Sequence, residues 1–247
     1  MNMNDISKLR ELIASSGKIA FLGGAGLSTE SGIPDFRSSD GVFKATKEYG
    51  CPPEVLLSHS FFMQNTEVFY DYYKKYLLYP DARPNKAHET LARLEADGKL
   101  AAIVTQNIDG LHQKAGSKKV YELHGSVYRN TCMRCKKRYG IEKILHSDGV
   151  PHCDCGGIIK PDVVLYEEGL DESVLLGAIR AIADADMLII GGTSLTVYPA
   201  AGLADYFDGD RLVVVNLTET HKDARACLTV REKIGEALSA AYPPSFS

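Results

Sequence analysis

A chain of 247 residues is long enough for one large domain or for a domain carrying an insertion. With 45% hydrophobic and 24% charged residues its composition is that of a soluble globular protein, and a net charge of -4 gives no general attraction to nucleic acid or anionic membrane. The opening stretch MNMNDISKLRELIAS is polar and amphipathic, unlike a leader, and the longest apolar run, Met187 to Ile190, is far too short to span a bilayer. A cytoplasmic protein with no membrane partner is therefore expected, in which cysteines serve as thiols or metal ligands.

From the N-terminus, Ile6, Leu9, Leu12 and Ile13 recur at helical spacing, and Gly17 closes the segment. Apolar runs at 18–22, 101–105, 187–190 and 211–215 read as buried parallel strands. Helical patterns at 86–97, 172–184 and 231–240 alternate with them. This rhythm predicts an α/β fold, a doubly wound, Rossmann-like parallel sheet. Two stretches break it. Residues 40–84 are predicted to hold a long helix whose aromatics (Phe61, Phe62, Phe69, Tyr70, Tyr72, Tyr73, Tyr76) recur at intervals of three and four, the pattern of a core-packing face. Residues 129–160 are basic and carry four cysteines. Both are expected to be insertions that form a second, smaller domain of helical insert plus zinc ribbon. The Rossmann-like domain then comprises 1–39, 85–128 and 161–247, and the smaller one 40–84 and 129–160.

The cysteines follow the pattern Cys132-x-x-Cys135, seventeen residues, then Cys153-x-Cys155. Two thiolate pairs on separate turns supply four soft ligands at tetrahedral angles, so one structural zinc is expected, with no open position for catalysis. The second pair is spaced C-x-C where a ribbon has C-x-x-C, which leaves His152 or Asp154 as an alternative to one sulfur. Cys51 and Cys227 stand alone as core or loop thiols. A ribbon flanked by Arg129, Arg134, Lys136, Lys137 and Arg138 could also be a nucleic-acid module. The basic run is short and has only Tyr128 and Tyr139 beside it, so solvated cations over a zinc knuckle are the simpler account and no nucleic-acid partner is expected.

In an open α/β sheet, ligands bind beyond the carboxyl ends of the strands. Here those positions carry Gly24-Ala25-Gly26, then Gln106, Asn107, Asp109 and His112, then His124-Gly125-Ser126, then Gly192-Thr193-Ser194, and finally Asn216-Leu217-Thr218. Glycines let backbone amides approach a pyrophosphate, Ser28 or Thr29 can donate as well, and Asn216 lies where a ribose contact belongs. A hydride-transfer fingerprint would need Gly or Ala where Thr29 stands, and an acid at the end of a second strand. Glu48 has about the right distance, but no strand precedes it.

The segments GAGLSTESGIPDFR, TQNIDGLH, ELHGS, the four cysteines, KPDVVLYEE and GTSLTVYPA occur in the order found in sirtuins, which this chain resembles from about Gly23 to Asn216. The resemblance is to a bacterial, single-domain member. It implies an NAD-dependent protein lysine deacetylase that consumes NAD: the acyl-lysine oxygen attacks the ribose carbon bearing nicotinamide, and the acetyl group passes to ADP-ribose. The products are nicotinamide, deacetylated lysine and O-acetyl-ADP-ribose. His124 matches the family's base, and Asn107 and Asp109 match residues that position ribose, water and the nicotinamide carboxamide. Ala25, Thr29, Phe36, Arg37, Gln106, Ile108, Thr193, Ser194, Asn216, Leu217 and Ile234 match NAD contacts, joined by Gly24, Gly26 and Gly192. Phe36 is expected to shield the reacting ribose face, and Arg37 to meet phosphate or ribose oxygens.

Val163, Val164, Leu165 and Tyr166 resemble the strand that pairs with an acetylated protein or peptide substrate; family members often have Gly-Glu where Glu167-Glu168 stands. Desuccinylating members carry Tyr-x-x-Arg in the helical insert, whereas Tyr70, Tyr72 and Tyr73 precede Tyr73, Lys75 and Tyr76, so neutral acyl groups are expected. A mono-ADP-ribosyltransferase is the alternative activity, because it shares the first chemical step. The expected oligomeric state is a monomer.

Overall fold

The structure, a computed structural model, describes residues 2–35 and 39–244. Its first half runs α1 (Met3–Ser15), β1 (Ile19–Gly23), α2 (Ala25–Ser28), α3 (Ser39–Tyr49), α4 (Pro53–Leu56), α5 (His59–Gln64), α6 (Thr66–Tyr76), α7 (Lys86–Ala96), β2 (Leu100–Thr105), α8 (Leu111–Lys114) and β3 (Val120–Glu122). Then follow β4 (Gly125–Cys132), β5 (Arg138–Tyr139), α9 (Ile141–Leu145), β6 (Ile159–Val163), α10 (Glu172–Ala183), β7 (Met187–Gly191), β8 (Leu212–Val215), β9 (Leu228–Val230) and α11 (Ile234–Ala241).

The expected parallel sheet is present as six strands in the order β3-β2-β1-β7-β8-β9. Strands β1, β7 and β8 are buried along their whole length, which is why they read as continuous apolar runs. From β1 the chain winds outward through β2 and β3, then returns to β7 and winds the other way, so the topological switch lies between β1 and β7. At such a point the loops on either side diverge and leave a crevice. One apolar cluster, including Leu9, Ile13 and Leu238, packs one face of the sheet, and a second, including Ile182 and Phe207, packs the other.

A three-stranded antiparallel sheet, β5-β4-β6, carries a third apolar cluster drawn from Ala45 to Leu78 and from Val127 to Leu165. The long helix expected over 40–84 is a correction: α3, α4, α5 and α6 share that stretch. Pro52-Pro53 forbids helix immediately before it. Ser58 starts a fresh helix by accepting the Phe61 amide at 3.2 Å, and Asn65 (φ -133°, ψ 47°) separates α5 from α6. The aromatics still pack as expected: Phe69 and Tyr73 stack at 5.5 Å, and Phe62 meets Phe69 edge-on at 4.9 Å. Glu48 ends up beside Lys75 and Tyr76, far from any ribose role. Among the described residues, no helix is long and apolar enough to cross a membrane.

Candidate active site

Gly23 ends β1, Thr105 ends β2, Glu122 ends β3 and Gly191 ends β7. Their loops meet over the switch point. Gly26 donates its amide to the Gly192 carbonyl at 2.8 Å, and a Cβ on Gly26 would lie 2.9 Å from that oxygen and 3.0 Å from the Gly192 Cα. The glycine pair therefore lets two loops touch backbone to backbone. Gln106 crosses the same junction, donating its side-chain amide to Thr193 Oγ1 at 3.0 Å and its backbone amide to the Gly23 carbonyl at 3.0 Å.

Two clefts open here, and Ala25 lines both. Gly26, Thr29, Gly192, Thr193, Ser194, Asn216, Leu217 and Ile234 line one. Gln106, Asn107, Ile108, Asp109, His124 and Val163 to Glu168 line the other. Gly24 lines neither; its carbonyl accepts the Asn107 side-chain amide at 3.0 Å. Phe36 and Arg37 lie outside the described residues. His112 is not in a cleft: it is buried against His88, ring centroids 4.9 Å apart, and burial lowers its pKa to about 3.

His124 is the second of the two residues, Leu123 and His124, through which the chain leaves the parallel sheet for the antiparallel one. The turn needs Gly125, whose φ is 77° and where a Cβ would stand 1.9 Å from the Asp162 carbonyl oxygen. The His124 carbonyl accepts the Val164 amide at 3.0 Å, and its Nδ1 lies 2.9 Å from the Gln106 carbonyl. A carbonyl only accepts, so Nδ1 carries the proton and Nε2 holds the lone pair.

Ser28, expected from the sequence only as a possible donor, is the hub of the second cleft. It is 2% exposed, accepts the Asn107 amide at 2.9 Å and donates its hydroxyl to Asp109 Oδ2 at 2.6 Å. The other Asp109 oxygen accepts the Leu111 amide at 2.9 Å. Burial pushes the Asp109 carboxyl above its ordinary value, while Ser28, Leu111 and Lys114 oppose the shift. No local motif reports this role for Ser28, because its partners lie far along the chain.

Segment 163–166 corrects the reading as one strand. Strand β6 stops at Val163, and beyond it the Leu165 amide donates to Glu168 Oε2 at 2.9 Å and the Tyr166 amide to the Leu57 carbonyl at 3.0 Å. Of the aromatic stretch, Tyr76 alone reaches this cleft; Leu77 and Tyr79 follow it there.

The four cysteine sulfurs of Cys132, Cys135, Cys153 and Cys155 lie within 4.8 Å of one another, with Cys132–Cys155 and Cys135–Cys153 each at 3.5 Å. Metal–sulfur bonds of 2.3 Å at tetrahedral angles require sulfurs about 3.8 Å apart, so the set fits zinc. Neither His152 nor Asp154 belongs to this group: Asp154 pairs with Lys137 at 2.6 Å, and His152 Nδ1 bonds the Val150 carbonyl at 2.8 Å. The Cys155 amide, and after it the Tyr139 hydroxyl, lower the Cys153 thiol to about 6, as a metal ligand requires. Cys227 is exposed.

The Sir2 family model matches residues 24–199. The chain belongs to the Sir2 family. Its relatives include proteins of Clostridium perfringens, 58% identical over 94% of this chain and 96% of the relative, and of Clostridium acetobutylicum, 54% identical over 96% and 97%. Both are named NAD-dependent protein deacetylase. Among solved structures, a Sir2 protein with deacetylated p53 peptide and 3'-O-acetyl ADP ribose aligns with TM-score 0.86 at 40% identity, over 97% of both chains. A Sir2 protein with p53 peptide and NAD+ aligns with TM-score 0.81 at 41% identity, over 96% of both. The Sir2 match spans every loop that lines the second cleft, together with the cysteine cluster.

Proposed function

We propose that this chain is an NAD-dependent protein lysine deacetylase acting on acetylated proteins or peptides, with one structural zinc. The observation that carries the reading is His124 in the second cleft, joined by its own carbonyl to Val164 and by Nδ1 to the Gln106 carbonyl, which leaves Nε2 as the basic nitrogen of the neutral ring. The imidazole thus lines the second cleft together with both of its partners. In this reading NAD supplies the electrophilic ribose carbon that accepts the acyl oxygen. His124 withdraws a ribose hydroxyl proton at Nε2, and an imidazole is suited to that transfer near neutral pH. Asn107, held by Gly24 and Ser28, and Asp109, held by Ser28 and Leu111, orient ribose and carboxamide. The first cleft, from Gly26 and Thr29 to Asn216, Leu217 and Ile234, would hold the ADP part. The family resemblance adds Phe36 and Arg37, which lie outside the described residues, to the NAD contacts.

The Val164 carbonyl and the Glu167 amide have no hydrogen-bond partner among the described residues, and are the main-chain groups available to an extended peptide. Separate apolar clusters support a Rossmann-like domain (1–39, 85–128, 161–247) and a smaller one (40–84, 129–160), with β4 and β6 running across the boundary.

The test is incubation with an acetyl-lysine peptide and NAD, following nicotinamide, deacetylated peptide and label from NAD on protein. Equal release of nicotinamide and free lysine is expected. Labelled protein without deacetylation would instead identify a mono-ADP-ribosyltransferase, and deacetylation independent of NAD would refute the reading.

A further inference from the structure

Glu167 stands in a backbone conformation that costs energy for any residue with a Cβ: its φ is 76°. Its own carboxylate holds it there. One oxygen accepts the Ser60 amide at 2.9 Å and the other the Ser60 hydroxyl at 2.9 Å, tying the segment after β6 to α5. The side chain is thereby fixed at the edge of the catalytic cleft, next to Tyr166, and remains exposed. The two Ser60 bonds also hold its carboxyl below the usual range, so it is ionised at neutral pH.

The charge around it is one-sided. Described residues lining this cleft include the carboxylates of Asp109, Glu167 and Glu168 and no lysine or arginine. Glu168 is paired with Lys160 at 3.1 Å and with His59 at 2.8 Å. Asp109 is engaged by Ser28 deeper in. Glu167 has no ion-pair partner among the described residues. Each of its oxygens accepts one hydrogen bond and retains a second acceptor position. A strained, anchored and uncompensated carboxylate at the mouth of a substrate cleft is a place for an incoming cation.

We propose that Glu167 selects acyl-lysine substrates that carry an arginine or lysine within two residues of the modified lysine. This rests on the deacetylase reading and specifies its substrate class. An exposed ion pair favours its partner by about two- to fivefold. The preference should reside in KM, because the charge is remote from the reacting atoms, and it should weaken with added salt.

The test uses three acetyl-lysine peptides of one sequence that differ only in having Arg, Gln or Glu at the flanking positions. Wild type is expected to show kcat/KM falling in the order Arg, Gln, Glu, with a ratio of about fivefold between the extremes at low salt. In Glu167→Gln the ratio should fall close to one. Glu167→Gly, which relieves the backbone strain, should lose the ratio as well, which separates charge from folding. Equal turnover of the three peptides by wild type, or an undiminished ratio in both variants, would overturn the proposal. Absence of NAD-dependent turnover with every peptide would overturn the deacetylase reading itself, and the proposal with it.

Discussion

The Nδ1 of His124 lies 2.9 Å from the backbone carbonyl oxygen of Gln106. The loop after β2 thus sets the tautomer of a residue that follows β3, leaving Nε2 as the basic nitrogen of the neutral ring. Replacing His124 by Ala is expected to lower kcat for deacetylation by at least about 10²-fold. NAD affinity should change by less than about threefold, since the imidazole acts on the transition state. Steady-state kinetics alongside calorimetric NAD titration separates the two effects.

Ser28→Ala removes the hydroxyl bond that opposes burial at Asp109. With that bond gone the Asp109 carboxyl rises further above its ordinary value. A function that needs the carboxylate is lost as pH falls through that value, so the acid limb of kcat/KM should move to higher pH. Activity at neutral pH should fall by about tenfold, the scale of a hydrogen bond to a charged group. The stability sign is opposite to that of a salt-bridged acid. Asp109's contribution is fully present below its unfolded pKa and is lost as pH rises through the raised folded value. A pH–rate profile and thermal melts of both proteins check this.

Purified protein is expected to hold one zinc per chain by elemental analysis. Chelation, or Cys153→Ala, should lower Tm by more than about 10 °C, because metal binding is coupled to folding. Asp154→Ala should retain the metal, since that side chain pairs with Lys137 instead. Loss of zinc in that variant would contradict the four-sulfur assignment.

Gly26→Ala forces a Cβ to 2.9 Å from a backbone oxygen that cannot move without shifting the β7 loop. Overpacking of this kind costs about 1–3 kcal/mol. A Tm lower by a few degrees is expected, together with a KM for NAD raised by more than about tenfold as the two loops separate. An unchanged KM would show that the cofactor cleft does not depend on this junction.

The catalytic cleft is lined by Leu57, Leu77, Ile108 and Leu165 beside its polar residues, and no described lysine or arginine lines it. A succinyl carboxylate would be desolvated there beside Asp109, with no described lysine or arginine to pair with it. Acetyl-lysine is expected to turn over at least about tenfold faster than succinyl-lysine on matched peptides. Faster desuccinylation would contradict this.

The strands were legible where burial on both faces forced an unbroken apolar run, as in β1, β7 and β8. Strand β9, Leu228–Val230, is too short to show a period, and only pairing with β8 creates it. The break at Asn65 was hidden because the seven-residue step from Phe62 to Phe69, two helical turns, keeps the aromatic face in register across it. The cysteine spacing announced a metal site, but whether Asp154 or a sulfur completed it depended on where Lys137 falls.

By itself the chain determined the class of fold, the two cysteine pairs and the residues set at each strand end, because those are local patterns of burial, turn chemistry and ligand type. Only the tertiary structure decided that Ser28 joins Asn107 to Asp109 across 79 and 81 residues of sequence, and that Gln106 orients His124 across 18. Such contacts arise when the parallel strands bring their ends to one edge of the sheet. No short stretch of sequence records which loops will meet there.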